Sequence, residues 1–262
     1  MKPTLIDSHA HLSMADFDKD RSQVIHRAFD EGIQAILCPV EFTNSKELQI
    51  GMHLNKSHNN ILTAIGIHPH NAKHFTQDSI EKIEELAKAE NICAIGEIGL
   101  DFHYNFSSPQ KQIDVFRQQL NLAKNLSLPV IVHSRQAARE IANSIKEEEF
   151  TCGGILHCFT EDWEFAKQMM EKSFLISFSG IITFPKAHSL REVARKIPAK
   201  KLLIETDSPY IVPAPYRGRV KRNEPAYVKE TAKFLAGLRN TPFESLAAVT
   251  TKNFKSLFMF EL

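Results

Sequence analysis

The sequence predicts an α/β fold, a (β/α)8 barrel of the TIM type, and three observations lead there. Eight short apolar runs recur along the chain, longer amphipathic stretches separate them, and histidines or carboxylates fall at the C-terminal ends of the runs. Barrels of this kind carry their chemistry at that end of the strands.

The apolar runs are residues 4–6, 35–40, 61–67, 92–98, 129–133, 154–157, 174–178 and 202–205. They are brief and rich in Ile, Val and Leu, as strands covered on both faces must be. Helix-like stretches at 17–32, 45–58, 78–90, 109–125, 136–149, 162–172 and 190–196 lie between them, and two more follow at 225–239 and 243–258. Phe116, Leu120 and Ala123 show the helical recurrence of apolar residues at three and four. Gly32 suits the end of the first helix and Pro109 the first turn of the fourth. A doubly wound open sheet is the rival architecture. It usually has fewer strands and a Gly-rich phosphate turn after the first, and neither is seen here. No linker, repeat or low-complexity segment interrupts the series, so one barrel domain over 1–262 is expected.

Composition narrows the function classes. With 43% hydrophobic residues and a formal net charge of +1, the chain is globular and has no global field for nucleic acid. Its four cysteines, Cys38, Cys93, Cys152 and Cys158, include no C-x-x-C pair, which argues against a disulfide framework or a zinc finger. The first residues lack the apolar core of a signal peptide, and no segment approaches the ~18 apolar residues of a membrane span. A cytoplasmic protein with reduced thiols and no membrane partner is expected, and no long exposed apolar face argues against a monomer.

The stretch Leu5-Ile6-Asp7-Ser8-His9-Ala10-His11 is the first candidate site. On an extended strand Asp7, His9 and His11 share a face, and two imidazoles so placed can grip one metal ion. The bland alternative is a set of ordinary polar residues where a strand runs out. The other run ends decide between the two. His68 follows the third, Glu97 lies in the fourth, His133 and His157 end the fifth and sixth, and Asp207 follows the eighth.

Four histidines and two carboxylates exceed the three protein ligands of a catalytic zinc. The surplus suggests two divalent cations, with His9, His11 and Asp207 on one, His133 and His157 on the other, and Glu97 bridging. Mixed nitrogen and oxygen donors suit Zn, Mn or Mg. A paired ion site of this kind activates water and stabilises the leaving oxygen of a phosphodiester. Structural alternatives are a salt bridge for Glu97 and a satisfied core histidine for His157. Cys158 is set aside as a ligand because neighbours on a strand point apart. Asp207 is placed to take a proton from the attacking water, and Glu205, on the same face, to orient a ligand histidine.

Taken together, His9-x-His11, Gly66-Ile-His-Pro69, Gly96-Glu-Ile-Gly-Leu-Asp101, His133-Ser-Arg135, His157-Cys-Phe159 and Glu205-Thr-Asp-Ser-Pro209 resemble the TatD family of metal-dependent deoxyribonucleases. The resemblance runs in order from Asp7 to about Pro225. It implies a barrel whose metal centre uses the six ligand positions above. It also implies hydrolysis of DNA phosphodiesters, as a 3′–5′ exonuclease or at abasic sites, with His68, Arg135 and Asn223 contacting phosphates. The chain departs from the family pattern at Arg217-Gly-Arg-Val-Lys-Arg-Asn-Glu-Pro225, which is two residues longer than the usual form. Its four basic residues, Arg217, Arg219, Lys221 and Arg222, are either a solvated charge run or a phosphate-binding patch at the barrel mouth.

Two other functions compete. One is an amidohydrolase-type hydrolase of small cyclic amides or esters, against which stands Glu97 where many such barrels carry a modified lysine. The other is a metal-stabilised scaffold without catalysis, which would not need six convergent ligands.

Overall fold

A computed structural model describes residues 4–260. Eight strands, β1 (Leu5–Asp7), β2 (Ile33–Glu41), β3 (Ile61–Gly66), β4 (Ile92–Asp101), β5 (Val130–Arg135), β6 (Gly154–Leu156), β7 (Phe174–Phe178) and β8 (Leu202–Ile204), form one parallel sheet in sequence order. Helices α1 (Arg21–Asp30), α2 (Ser45–Ser57), α3 (Gln77–Ala89), α4 (Pro109–Leu126), α5 (Ala138–Glu147), α6 (Trp163–Glu171) and α7 (His188–Lys196) connect them. Two more, α8 (Val228–Leu238) and α9 (Phe243–Phe258), complete the order. This is the (β/α)8 arrangement that the alternating pattern predicts.

The sheet meets itself along the residues just past β1 and β8. Ser8 N–H donates to Ile204 O at 3.1 Å, Asp207 N–H to His9 O at 2.9 Å, and His11 N–H to Ser208 O at 2.8 Å. These bonds carry the backbone of His9 and His11 against that of Asp207.

Inside the barrel, every strand contributes to one apolar cluster, which includes Ile6, Leu37, Leu62, Ala94, Ile131, Ile155, Leu175 and Leu203. Phe254 of α9 joins that cluster fully buried, and Leu257 and Phe258 of the same helix pack against it. Asn253 of the same helix donates to Leu202 O at 2.9 Å, and Thr251 to Thr4 O at 3.0 Å. The last helix therefore closes the N-terminal floor of the barrel, opposite the rim that carries the histidines. The outward strand faces pack against the helices in the larger core, with Phe116, Leu120 and Ala123 of α4 among them.

Several element ends differ from the sequence reading. The stretch 17–32 is shorter as a helix because Ala15–Phe17 forms a separate 3-10 turn, and Gly32 adopts a φ of 92° after α1. α5 starts at Ala138 and not at 136, since Gln136 lies at φ 55°, and Glu149 at φ 49° stops it early. β4 continues three residues beyond 98 to Asp101, with consequences for the site described below.

Two glutamines on one face of α4 fix the backbone at the rim. Gln119 accepts from Ile67 N–H at 2.7 Å and donates to Ile67 O at 3.1 Å, just before His68. Gln112 accepts from Asp101 N–H at 2.8 Å and donates to Asp101 O at 2.9 Å. Both glutamines are buried. Gln119→Ala would leave a buried donor and acceptor unpaired, so a loss of about 2 kcal/mol is expected in urea unfolding. A loss below ~0.5 kcal/mol would show that the clamp contributes nothing to stability.

Candidate metal centre

Glu97 is the middle of the site. It sits near the C-terminal end of β4 with only 6% of its surface exposed, and five imidazole nitrogens surround its carboxylate. The two oxygens face different groups. Oε2 lies 3.3 Å from His9 Nε2 and 3.6 Å from His11 Nε2. Oε1 lies 2.7 Å from His157 Nε2, 3.0 Å from His133 Nδ1 and 3.3 Å from His68 Nε2. Asp207 Oδ1 joins the first group, 3.4 Å from His11 Nε2 and 3.9 Å from His9 Nε2.

The spacing within each group fits a cation. His9 Nε2 and His11 Nε2 are 3.1 Å apart, and His133 Nδ1 and His157 Nε2 are 3.3 Å apart. Two ligands each about 2.1 Å from a tetrahedral ion stand about 3.4 Å from one another. Each pair is thus spaced as co-ligands. Among the described residues three sets could hold a metal: His9, His11 and Asp207; His68, Glu97 and His133; and His9, His157 and Glu205, which joins a histidine from each side of Glu97.

Neighbouring groups aim the rings. Asp101 Oδ2 lies 3.2 Å from His133 Nε2, a contact that orients the ring with Nδ1 toward Glu97. His70 Nε2 reaches the same oxygen at 2.8 Å, while Oδ1 accepts from the His103 and Tyr104 backbone N–H groups. Glu205 Oε1 lies 3.5 Å from His157 Nδ1, a charge contact and not a formed hydrogen bond, and it accepts the Cys158 N–H at 2.5 Å. The Cys158 thiol turns away to Ser179 Oγ at 3.2 Å. His68 differs from the other rings. Its Nδ1 accepts the His70 backbone N–H at 3.1 Å, so Nε2 carries the proton and faces Glu97 as a donor.

The electrostatics follow from this crowding. Burial pushes the Glu97 carboxyl up, but the charges and hydrogen bonds of His157, His68 and His133 outweigh it and hold the group well below the usual range. Burial also opposes ionisation of Asp207, and the His11 hydrogen bond with neighbouring imidazoles more than offsets it. Both are carboxylates at neutral pH. Burial lowers His68 to about 4, so it is a neutral donor. Asp207 has a φ of 55°, a costly conformation for a residue with a Cβ, and the Asp207 N–H bond to His9 O helps to hold it there.

Some expectations are corrected by the geometry. Asp7 does not share a face with His9 and His11: β1 ends at Asp7, and the buried Asp7 carboxyl, pushed up to about 8, accepts from Thr206 N–H at 2.9 Å and Thr206 Oγ1 at 2.6 Å. Asn223 is fully buried, and its amide donates to Thr206 O and Ile211 O while its oxygen accepts Glu224 N–H. No donor on it is left for a phosphate, and the residue instead pins the loop after β8. The basic run is divided as well. Arg222 pairs with both oxygens of Asp20 at 2.8 and 2.7 Å, and Arg217 lies over the Phe184 ring at 3.7 Å. Arg135 is exposed at the end of β5, with its guanidinium 4.7 Å from the centre of the Tyr104 ring.

Asp101 and His70 are the site residues that sequence reasoning passed over. Asp101 carries the same signal as the others, a carboxylate at a strand end, but the fourth strand was read as stopping at 98.

Barrel and donor set together define the class, a metal-dependent hydrolase. The family model described as TatD related DNase matches residues 6–259. The chain is 42% identical over 255 residues to YabD of Bacillus subtilis, described as an uncharacterized metal-dependent hydrolase, covering 97% of this chain and 98% of that protein. It is 35% identical over 258 residues to the 3′–5′ ssDNA/RNA exonuclease TatD of Shigella flexneri, covering 97% and 98%. The crystal structure of YJJV, a TatD homologue from Escherichia coli K12, has a TM-score of 0.91 at 28% identity, with 100% of each chain covered. The protein belongs to the TatD family. Among the described residues no helix is long and apolar enough to cross a membrane.

Proposed function

We propose that this hydrolase cleaves phosphodiester bonds in DNA, on single strands from the 3′ end or at abasic sites, as one barrel domain working in the cytoplasm as a monomer. The observation that carries the reading is the division of Glu97, one oxygen toward His9 and His11, which Asp207 also meets, and the other toward His133 and His157. That arrangement suits two divalent cations, Zn, Mn or Mg, sharing one carboxylate. When bound, such ions supply Lewis acidity at phosphate oxygens and acidify a water molecule.

The chain's own groups do the rest. Arg135 offers a planar fork to non-bridging phosphate oxygens. His68, neutral and protonated on Nε2, lies at the same mouth, where that proton faces Glu97 at 3.3 Å and would turn to a phosphate oxygen brought against it. Asp207, ionised and at the edge of the cluster, accepts the proton of the attacking water, Asp101 holds His133 in orientation, and Glu205 places a negative charge beside His157. The name of the Shigella relative and the family description support DNA as the substrate class. Glu97 in place of a lysine weighs against the hydrolysis of cyclic amides or esters.

The test is incubation of purified protein, stripped with EDTA and reloaded with Mg2+, Mn2+ or Zn2+, with an end-labelled single-stranded oligonucleotide and, in parallel, a lactone and amide panel. Stepwise shortening from the 3′ end that EDTA stops is expected. Turnover of the lactone or amide panel alone would overturn the DNA reading. Elemental analysis of the reloaded chain should return two metal equivalents, and one equivalent would remove the bridge.

A further inference from the structure

The exposed large apolar side chains among the described residues are Tyr104 at 48%, Phe106 at 55%, Tyr210 at 51% and Met259 at 91%. Three of the four border the histidine cluster. Tyr104 and Phe106 lie with ring planes 13° apart and centroids 5.7 Å apart, and both meet the His70 ring edge-on. His70 shares the Asp101 oxygen that holds His133, so this pair stands beside the second group of ligands. Tyr210 stands beside the first, edge-on to His11 at 6.0 Å. Arg135 lies over the Tyr104 ring and has no carboxylate in ion-pair range among the described residues.

Half-exposed rings on both flanks of an anion-handling centre call for a ligand that has flat aromatic groups at short intervals along an anionic chain. Single-stranded nucleic acid has that chemistry, and every base has a face to stack whatever its identity. In a duplex those faces are covered by neighbouring pairs, and a base must be splayed out before a side chain can stack on it. We propose that Tyr104 and Phe106 form a stacking shelf for the base next to the scissile phosphate, with Arg135 fixed by Tyr104 to grip that phosphate, so that the chain selects unpaired DNA. The proposal rests on the phosphodiesterase reading above and adds a residue-level source of substrate selection to it.

The experiment compares two oligodeoxynucleotides of one sequence, one presented as an intact single strand and one annealed to a full-length complement that covers the base adjoining the scissile bond. Tyr104→Ala and Phe106→Ala remove exposed rings, and Phe106→Trp keeps a stacking surface. Met259→Ala, a surface change outside the site, serves as control. The wild type should favour the intact strand in kcat/KM, and each alanine variant should lower that preference about 5- to 150-fold, the usual worth of one stacked base. Phe106→Trp should keep the preference and Met259→Ala should not change it. Binding of the intact strand to metal-free protein, followed by fluorescence anisotropy, should weaken by a similar factor in the alanine variants.

Cleavage with the same preference in the alanine variants as in the wild type would overturn the shelf and leave the phosphodiesterase intact. Binding that depends on the two rings, with no cleavage under any of the three metals, would support the shelf and overturn the phosphodiesterase. With neither binding nor cleavage, both are overturned.

Discussion

Glu97→Ala is expected to abolish phosphodiester hydrolysis while leaving the barrel folded. The carboxylate lies within 3.6 Å of five imidazole nitrogens, and among the described residues no other carboxylate comes within ion-pair range of both groups. Without it, His9, His11 and Asp207 on one side and His133 and His157 on the other have no shared anion. Two cations placed close together would then repel with nothing between them. Metal-ion catalysis is worth several kcal/mol of transition-state stabilisation, and at 1.36 kcal/mol per tenfold a fall in kcat of about 10³-fold or more is expected. Single-turnover cleavage gives the rate, elemental analysis the metal content, and far-UV circular dichroism the fold. An active variant that still carries two metal equivalents would remove Glu97 from the centre of the site.

The second large effect is on stability and is independent of any substrate. Phe254→Ala empties the floor of the barrel, where the ring is fully buried against residues of the strand interior. Loss of a buried phenylalanine costs about 3–5 kcal/mol, from lost transfer energy and the cavity left behind. For a chain of this size each kcal/mol moves Tm by about 2–4 °C, so a fall of about 6–20 °C is expected by calorimetry. The hydrogen bonds of Asn253 and Thr251 to the strand ends keep α9 docked, which limits collapse into the void. A loss below ~1 kcal/mol would mean that α9 does not plug the barrel.

The strand count, the alternation with helices and the polar run ends were all legible because each is a local pattern. Strands covered on both faces must be apolar throughout, and the residues that break this rule, such as Glu97 inside β4, are conspicuous. Element boundaries were less legible. Gln136 and Glu149 take left-handed backbone conformations, for which their residue types give no signal, so the sequence pattern makes α5 longer than it is. β4 was read too short because Asp101 looks like a loop residue until Gln112 and the His70 and His133 rings are found around it.

The basic loop after β8 shows the same limit. Arg219 and Lys221 are exposed, whereas the neighbouring Arg222 is held by Asp20, some two hundred residues away in sequence. Charge alone does not say which cation is already paired. Asn223 likewise reads as a hydrogen-bond donor in any sequence, and only its burial against Thr206 O and Ile211 O shows where its protons go.

By itself the sequence determined that eight strands alternate with helices and that imidazoles and carboxylates end them, since periodicity and composition are properties of neighbours along the chain. Only the tertiary structure decided which oxygen of Glu97 faces which histidines, which ring nitrogen of His68 carries the proton, and that α9 fills the barrel floor. Those facts depend on contacts between segments far apart in the chain, and the physical cause is closure of the sheet, which brings the ends of all eight strands to one rim.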